Sequence, residues 1–186
     1  PGERKDQILQ TLASMLETPK GEKITTAALA ARLDVSEAAL YRHFASKAQM
    51  FEGLIEFIEQ TLFGLVNKIT TEESSGLKQL EAIVSMLLGF AVKNPGMTRV
   101  LIGDALVNEN ERLQVRINQL HDRLEATLKQ ALRFAMSEKQ LPENTDAAAQ
   151  ANLMIAFVVG RWHQYAKSGF KRDPRDFWPA QWAALV

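Results

Sequence analysis

An all-α fold is what this sequence predicts, and three features carry that prediction. Only 6 prolines and 10 glycines interrupt 186 residues, with long stretches between them. Within those stretches apolar residues recur every three or four positions, the period of an amphipathic helix. Strand-like alternation is missing, and β-branched residues are scattered. The pattern resolves into a helix-turn-helix head at residues 1–50 and a helical bundle at residues 51–186.

The first helix is expected over about residues 3–17, with Ile8, Leu9, Leu12 and Leu16 on one face. Thr18, Pro19, Lys20 and Gly21 stop it. A second, short helix follows Thr25 or Thr26 and carries Leu29 and Leu33. Asp34 and Val35 make a tight turn. Ser36 then sits where its hydroxyl can cap a third helix over residues 37–43. The fourth helix starts near Ser46 and runs to about Thr70, with Leu54, Ile58, Leu62, Leu65 and Ile69 as its core face. After a polar break at 72–76, the fifth covers 77–93 and ends at Asn94, Pro95 and Gly96. The sixth is expected over 97–107. The seventh, over 111–138, places Leu113, Ile117, Leu120, Leu124, Leu128 and Ala131 at helical spacing. The eighth spans 146–167 and is apolar on most sides; a short ninth covers 176–185.

Composition narrows the function. Lys plus Arg number 22 and Asp plus Glu number 22, which excludes a polycation that coats DNA by charge alone. The neutrality is a sum of unequal parts: +1 over residues 1–50, −4 over 51–81 and +3 over 82–186. Non-specific attraction to phosphate is therefore expected to be modest, leaving DNA choice to a recognition helix. Cysteine is absent, which removes disulfides, cysteine–zinc sites and thiol catalysis and fits a reducing cytoplasm. The longest apolar runs, 82–92 and 153–160, fall short of the roughly 20 residues a membrane span needs. The N-terminus carries no apolar signal-peptide core. His43, His121 and His163 are far apart and lack metal spacing, and no phosphate loop or nucleophile motif occurs. Neither an enzyme nor a metal or cofactor site is expected.

Residues 24–44, ITTAALAARLDVSEAALYRHF, are the most informative stretch. Two short helices meet at a four-residue turn, held by Leu29, Leu33, Val35 and Leu40. Ala38 and Ala39 leave room against a duplex, and Tyr41, Arg42 and His43 supply hydrogen-bonding tips. This suits a helix entering a major groove, although a plain helical hairpin has the same pattern.

Together with Ser46, Lys47, Met50 and Phe51, this stretch resembles the N-terminal domain of TetR-type regulators. Asp34 stands where those proteins usually carry glycine, a mild departure because Asp tolerates left-handed backbone. Residues 53–59, 86–90, 94–99 and 112–120 extend the resemblance to the nucleoid occlusion members of the family, over about residues 8–132. The resemblance implies a TetR-like fold and a homodimer on palindromic double-stranded DNA, with several dimers conceivable per site. It also implies contact with the C-terminal tail of the division protein FtsZ, in the cytoplasm on the nucleoid, with no small-molecule ligand. It places Thr25, Thr26 and Lys47 near phosphate, and Ser36, Glu37, Ala38, Tyr41, Arg42 and His43 on the recognition helix.

Two further surfaces follow. Phe57 shares a face with Gly53, Thr61 and Gly64, off the core stripe of the fourth helix. Gly89 lies inside an apolar helix, where glycine costs about 1 kcal/mol relative to alanine. Met86, Gly89 and Lys93 share a face, with Asn94 just beyond. From the residues alone, Gly89 serves either close packing within the chain or access for a partner. The resemblance favours a groove for the FtsZ tail formed by Phe57, Met86, Gly89, Lys93 and Asn94. The last two long helices are the expected dimer interface, through Leu124, Leu128, Met154, Phe157, Val158, Gly160 and Arg161. The competing reading is a ligand-responsive repressor, which would need a pocket inside the bundle.

Overall fold

Caps and apolar stripes set the architecture. A computed structural model describes residues 2–18 and 23–186, and among them it contains helices and no strand. The elements are α1 (Gly2–Met15), α2 (Thr26–Arg32), α3 (Glu37–Tyr41), α4 (Lys47–Glu72) and α5 (Gly76–Lys93). They continue with α6 (Pro95–Leu101), a 3-10 turn (Asp104–Leu106), α7 (Glu111–Ser137), α8 (Ala147–Lys167) and α9 (Trp178–Leu185). Of the expected stop after the first helix, Pro19, Lys20 and Gly21 lie outside the described residues.

The side chains of Thr25, Ser36, Ser46, Ser75, Asn110 and Asp146 each accept a hydrogen bond from a first-turn N–H of the helix that follows. Each such cap is worth about 1 kcal/mol. Asp34 takes φ 55°, the left-handed turn expected there. Several boundaries differ from the sequence expectation by a few residues, and two of the differences follow from left-handed backbone. The sixth helix ends at Leu101, because Gly103 at φ 81° turns the chain into the 3-10 segment. The ninth begins at Trp178, because Phe177 at φ 65° cannot continue a right-handed helix from Asp176.

Ile8 and Leu12 of α1, and Leu16 just after it, are fully buried with Leu29 and Leu40 of the head. Below them α7 packs along α5 and α8. Its predicted stripe, Leu113 to Ala131, is buried throughout. Each such leucine contributes about 1.5–3 kcal/mol of transfer free energy. Trp162 is also fully buried, and its indole N–H donates to Leu87 O at 2.8 Å. On α4 the stripe drifts by i+4 steps through Leu54, Ile58, Leu62 and Val66. Leu65, expected in the core, is 38% exposed instead.

Two features join head to body. Gly96 lies so close to α1 that a Cβ there would sit 2.0 Å from Ala13 O. Gly53 gives the same access to α4: a Cβ would meet Phe44 at 3.0 Å and Leu9 at 3.3 Å. Gly53 therefore serves packing of the head rather than the Phe57 surface. α4 also faces the start of α7 through three ion pairs: Lys47–Glu109 at 2.5 Å, Glu52–Arg112, and Glu59–Arg116 at 2.7 Å. The acidic segment found in the sequence is thus partly neutralised by the basic one.

Candidate nucleic-acid and partner interfaces

On the head, the Thr25 hydroxyl caps α2 by accepting from Ala28 N at 3.1 Å, and its residue is exposed. Its O–H donor stays available to an acceptor such as a phosphate oxygen. Thr26, Glu37 and Tyr41 form a chain. Tyr41 OH donates to Thr26 Oγ1 at 3.3 Å, and Thr26 Oγ1 donates to Glu37 Oε2 at 2.9 Å. The chain fixes α3 against α2 and leaves the Tyr41 ring 45% exposed. Ser36 is engaged as the α3 cap, donated to by Ala39 N at 3.2 Å, and Ala38 is exposed. Exposed Arg42 and half-buried His43 border a crevice of about 180 Å³ that Arg4 of α1 also lines. Arg4 has no mark in the sequence pattern; only the fold brings it there. Lys47 sits at the first position of α4 and is held by Glu109.

On the body, Phe57 is 46% exposed, Met86 and Asn94 are half-buried, and Lys93 is exposed. A Cβ at Gly89 would meet nothing within 4 Å, and the same holds at Gly64. Close packing inside the chain therefore does not require Gly89. Asn94 turns inward at the helix junction, its Nδ2 donating to Phe90 O at 3.0 Å. Phe57, Met86, Gly89, Lys93 and Asn94 line neither the crevice at Arg42 nor the cleft at Arg123.

The expected dimer residues separate into two groups. Leu124, Leu128, Met154 and Val158 are fully buried within the single chain. Arg161 is buried too. Its guanidinium donates to Pro174 O, Asp173 O and Asp176 O, at 3.2, 2.9 and 3.2 Å, and so fixes the loop before α9. These five residues build the chain's own core and leave no surface for a second copy. Phe157 and Gly160 are placed differently. Gly160 is exposed with open space at its Cβ position, and Phe157 stacks on Trp178 at 6.4 Å. Leu153, 50% exposed on the same helix, is an outward apolar residue that the sequence pattern did not single out.

The interior of the bundle is filled: Ile83, Val84, Leu87, Leu128 and Met154 have no exposed surface. A cleft of about 600 Å³ lies at the surface between α4, α5 and α7, where Arg123 stacks 3.6 Å over the Phe63 ring. Asp104 and His121 are among the titratable groups that are shifted. Burial would raise the Asp104 carboxyl, but hydrogen bonds from Lys167 and Arg99 outweigh it and hold the group below its ordinary value. Burial pushes His121 down, although its bond to Leu101 O at 2.8 Å and nearby Asp122 act the other way. No group of His, Asp or Glu able to hold a metal ion occurs among the described residues, nor any helix long and apolar enough to cross a membrane.

Residues 22–54 match the family model of bacterial regulatory proteins of the tetR family. Residues 74–186 match the model of the tetracyclin repressor-like, SlmA-like C-terminal domain. The nucleoid occlusion factor SlmA of Marinomonas sp. (strain MWYL1) is 53% identical over 99% of this chain and 93% of its own length. That of Alteromonas mediterranea is 54% identical over 98% and 93%. Among solved structures, the fatty acid degradation regulator FadR from Bacillus halodurans superimposes with a TM-score of 0.81 at 15% identity, covering 100% of this chain and 95% of that one. The MbdR regulator from Azoarcus sp. CIB gives 0.81 at 15%, covering 97% and 96%. At that identity the structures speak for the fold alone, whereas the curated relatives match nearly end to end. The chain is a DNA-binding regulatory protein of the TetR family rather than an enzyme, and within that family it belongs with the nucleoid occlusion factors SlmA.

Proposed function

We propose that this protein binds specific palindromic DNA through two heads of a dimer and, once placed on the nucleoid, captures the C-terminal tail of FtsZ. Division-ring assembly over the chromosome is thereby blocked. The observation that carries the second half is Gly89, a helix-interior glycine of α5 whose Cβ position faces open space, while Phe57 is exposed on α4, which packs against α5. A glycine costs helix stability, and nothing inside the chain requires this one. A tail segment laid there would bury Phe57 and Met86, with Lys93 available to an acidic group. On the head, Thr25 and the α3 residues from Ser36 to His43 form the DNA face, with Arg42 equally suited to a phosphate or a base edge. The second copy is expected on the outward face of α8, at Leu153, Phe157 and Gly160, since a palindrome demands two-fold symmetry.

The test is Gly89→Glu in two assays. An FtsZ-tail peptide should lose binding, while a duplex selected by the protein from a random pool should be bound as before. Retained peptide affinity removes the groove.

A ligand-responsive repressor is the second reading, and the cleft of about 600 Å³ beside Arg123 is the observation in its favour. Its size falls within the range of small-molecule sites, about 300–1,000 Å³. It lies at the surface and is lined largely by polar side chains such as Asn67, Thr70, Gln79 and Gln130. Release of bound DNA by a small molecule, abolished by filling the cleft with Thr127→Trp, would favour that reading.

A further inference from the structure

The head's exit into the body carries an ion pair that DNA binding would have to disturb. Lys47 is the first residue of α4, directly after the capping Ser46 and three positions after Phe44 of the head. Its ammonium lies 2.5 Å from Glu109 Oε1. The two side chains are only 22% and 12% exposed, so the pair is partly withdrawn from water and stronger than a free surface pair. Glu109 does not belong to the head. It sits in the segment between the 3-10 turn and α7, following Asn108, whose φ of 67° turns the chain there. It also lines the cleft of about 440 Å³ between head and body. A carboxylate at that place neutralises the lysine and competes with a phosphate for it.

We infer that Glu109 is an affinity-setting residue: it holds Lys47 in the free protein, and a DNA phosphate must take its place for Lys47 to contact the duplex. The inference rests on the DNA-binding reading of the head. Exchange would release the Val107–Asn110 segment, while the Glu52–Arg112 and Glu59–Arg116 pairs keep α4 and α7 joined. Because the exchanged ligand is a phosphate, the effect is independent of base sequence.

The experiment measures binding of two duplexes over a series of salt concentrations, with variants compared at matched salt: the one selected from a random pool, and one of unrelated sequence. Glu109→Gln should tighten both about two- to fivefold, the scale of one ion pair. Lys47→Gln should weaken both and reduce the salt slope by about one. In a Lys47→Gln background, Glu109→Gln should have no effect. Glu111→Gln removes the same charge from an exposed neighbour and should leave affinity unchanged. The inference is overturned if Glu109→Gln weakens binding or leaves it unchanged, or if Glu111→Gln matches it. It also fails if the gain persists without Lys47, or if Lys47→Gln binds like the parent. A parent protein that binds neither duplex overturns instead the DNA-binding reading itself.

Discussion

Thr25 has one observed role and one proposed role for the same hydroxyl, and they separate by substitution. It accepts from Ala28 N as the cap of α2 and keeps an O–H on the face proposed for DNA. Thr25→Ala should lower duplex affinity and cost about 1 kcal/mol of stability, whereas Thr25→Ser keeps the cap and most of the affinity. Duplex titration with thermal unfolding in parallel reads both. His121 tests a different property. Its Nε2 donates to Leu101 O beside Trp162, and burial lowers its proton affinity below that of a free histidine. The unfolded chain then binds more protons than the folded one just below about pH 6.5, so stability falls as pH drops through that window. The difference in unfolding free energy between about pH 7 and about pH 5 should shrink in His121→Gln. A difference of unchanged size removes His121 as its source. Neither role of His121 was legible in the sequence, where it is one of three isolated histidines; only the return of α7 against α6 gives it Leu101.

At the scale of elements, α5 presents a test of opposite signs. Gly89→Ala adds a methyl into open space on a helix interior. Thermal or denaturant unfolding should show a gain of about 0.5–1 kcal/mol, while affinity for the FtsZ-tail peptide falls. A loss of stability would mean that the glycine serves packing after all. Most helices were legible because each has its own punctuation: Ser36, Ser46, Asn110 and Asp146 announce starts, and the α7 stripe announces a buried face. What stayed hidden depends on a second element. Leu65 lies at a plausible core spacing, yet the crossing of α4 over its neighbours follows Val66. Arg161 is expected from the sequence at the dimer interface, yet the loop before α9 folds back over it and supplies three carbonyls. Gly53 and Gly89 look alike in the sequence, and only the position of α1 makes one a packing glycine.

For the whole molecule, periodicity identified the inward face of α7 but not that of the more evenly apolar α8. Met154 and Val158 are as apolar as an interface demands and are consumed by the chain's own core. The large apolar residues that α8 turns outward include Leu153 and, in part, Phe157. Leu153→Glu should therefore give a folded monomer, and Met154→Glu an unfolded chain, distinguished by light scattering and circular dichroism. A dimeric Leu153→Glu protein would move the interface elsewhere. The unequal charge of the three segments also acquires a structural meaning: acidic α4 is tied by Glu52 and Glu59 to Arg112 and Arg116 of α7, and Lys47 returns the pairing in the reverse sense with Glu109. The head is thus fastened to the body that holds the proposed FtsZ-tail surface, so both binding events belong to one connected unit. Sedimentation of FtsZ polymers with the protein, in the presence and absence of its selected palindromic duplex, tests that account most directly. The prediction is a loss of pelleted FtsZ that is larger with the duplex and absent with Gly89→Glu. Equal pelleting with and without the protein, whether or not the duplex is present, would contradict it.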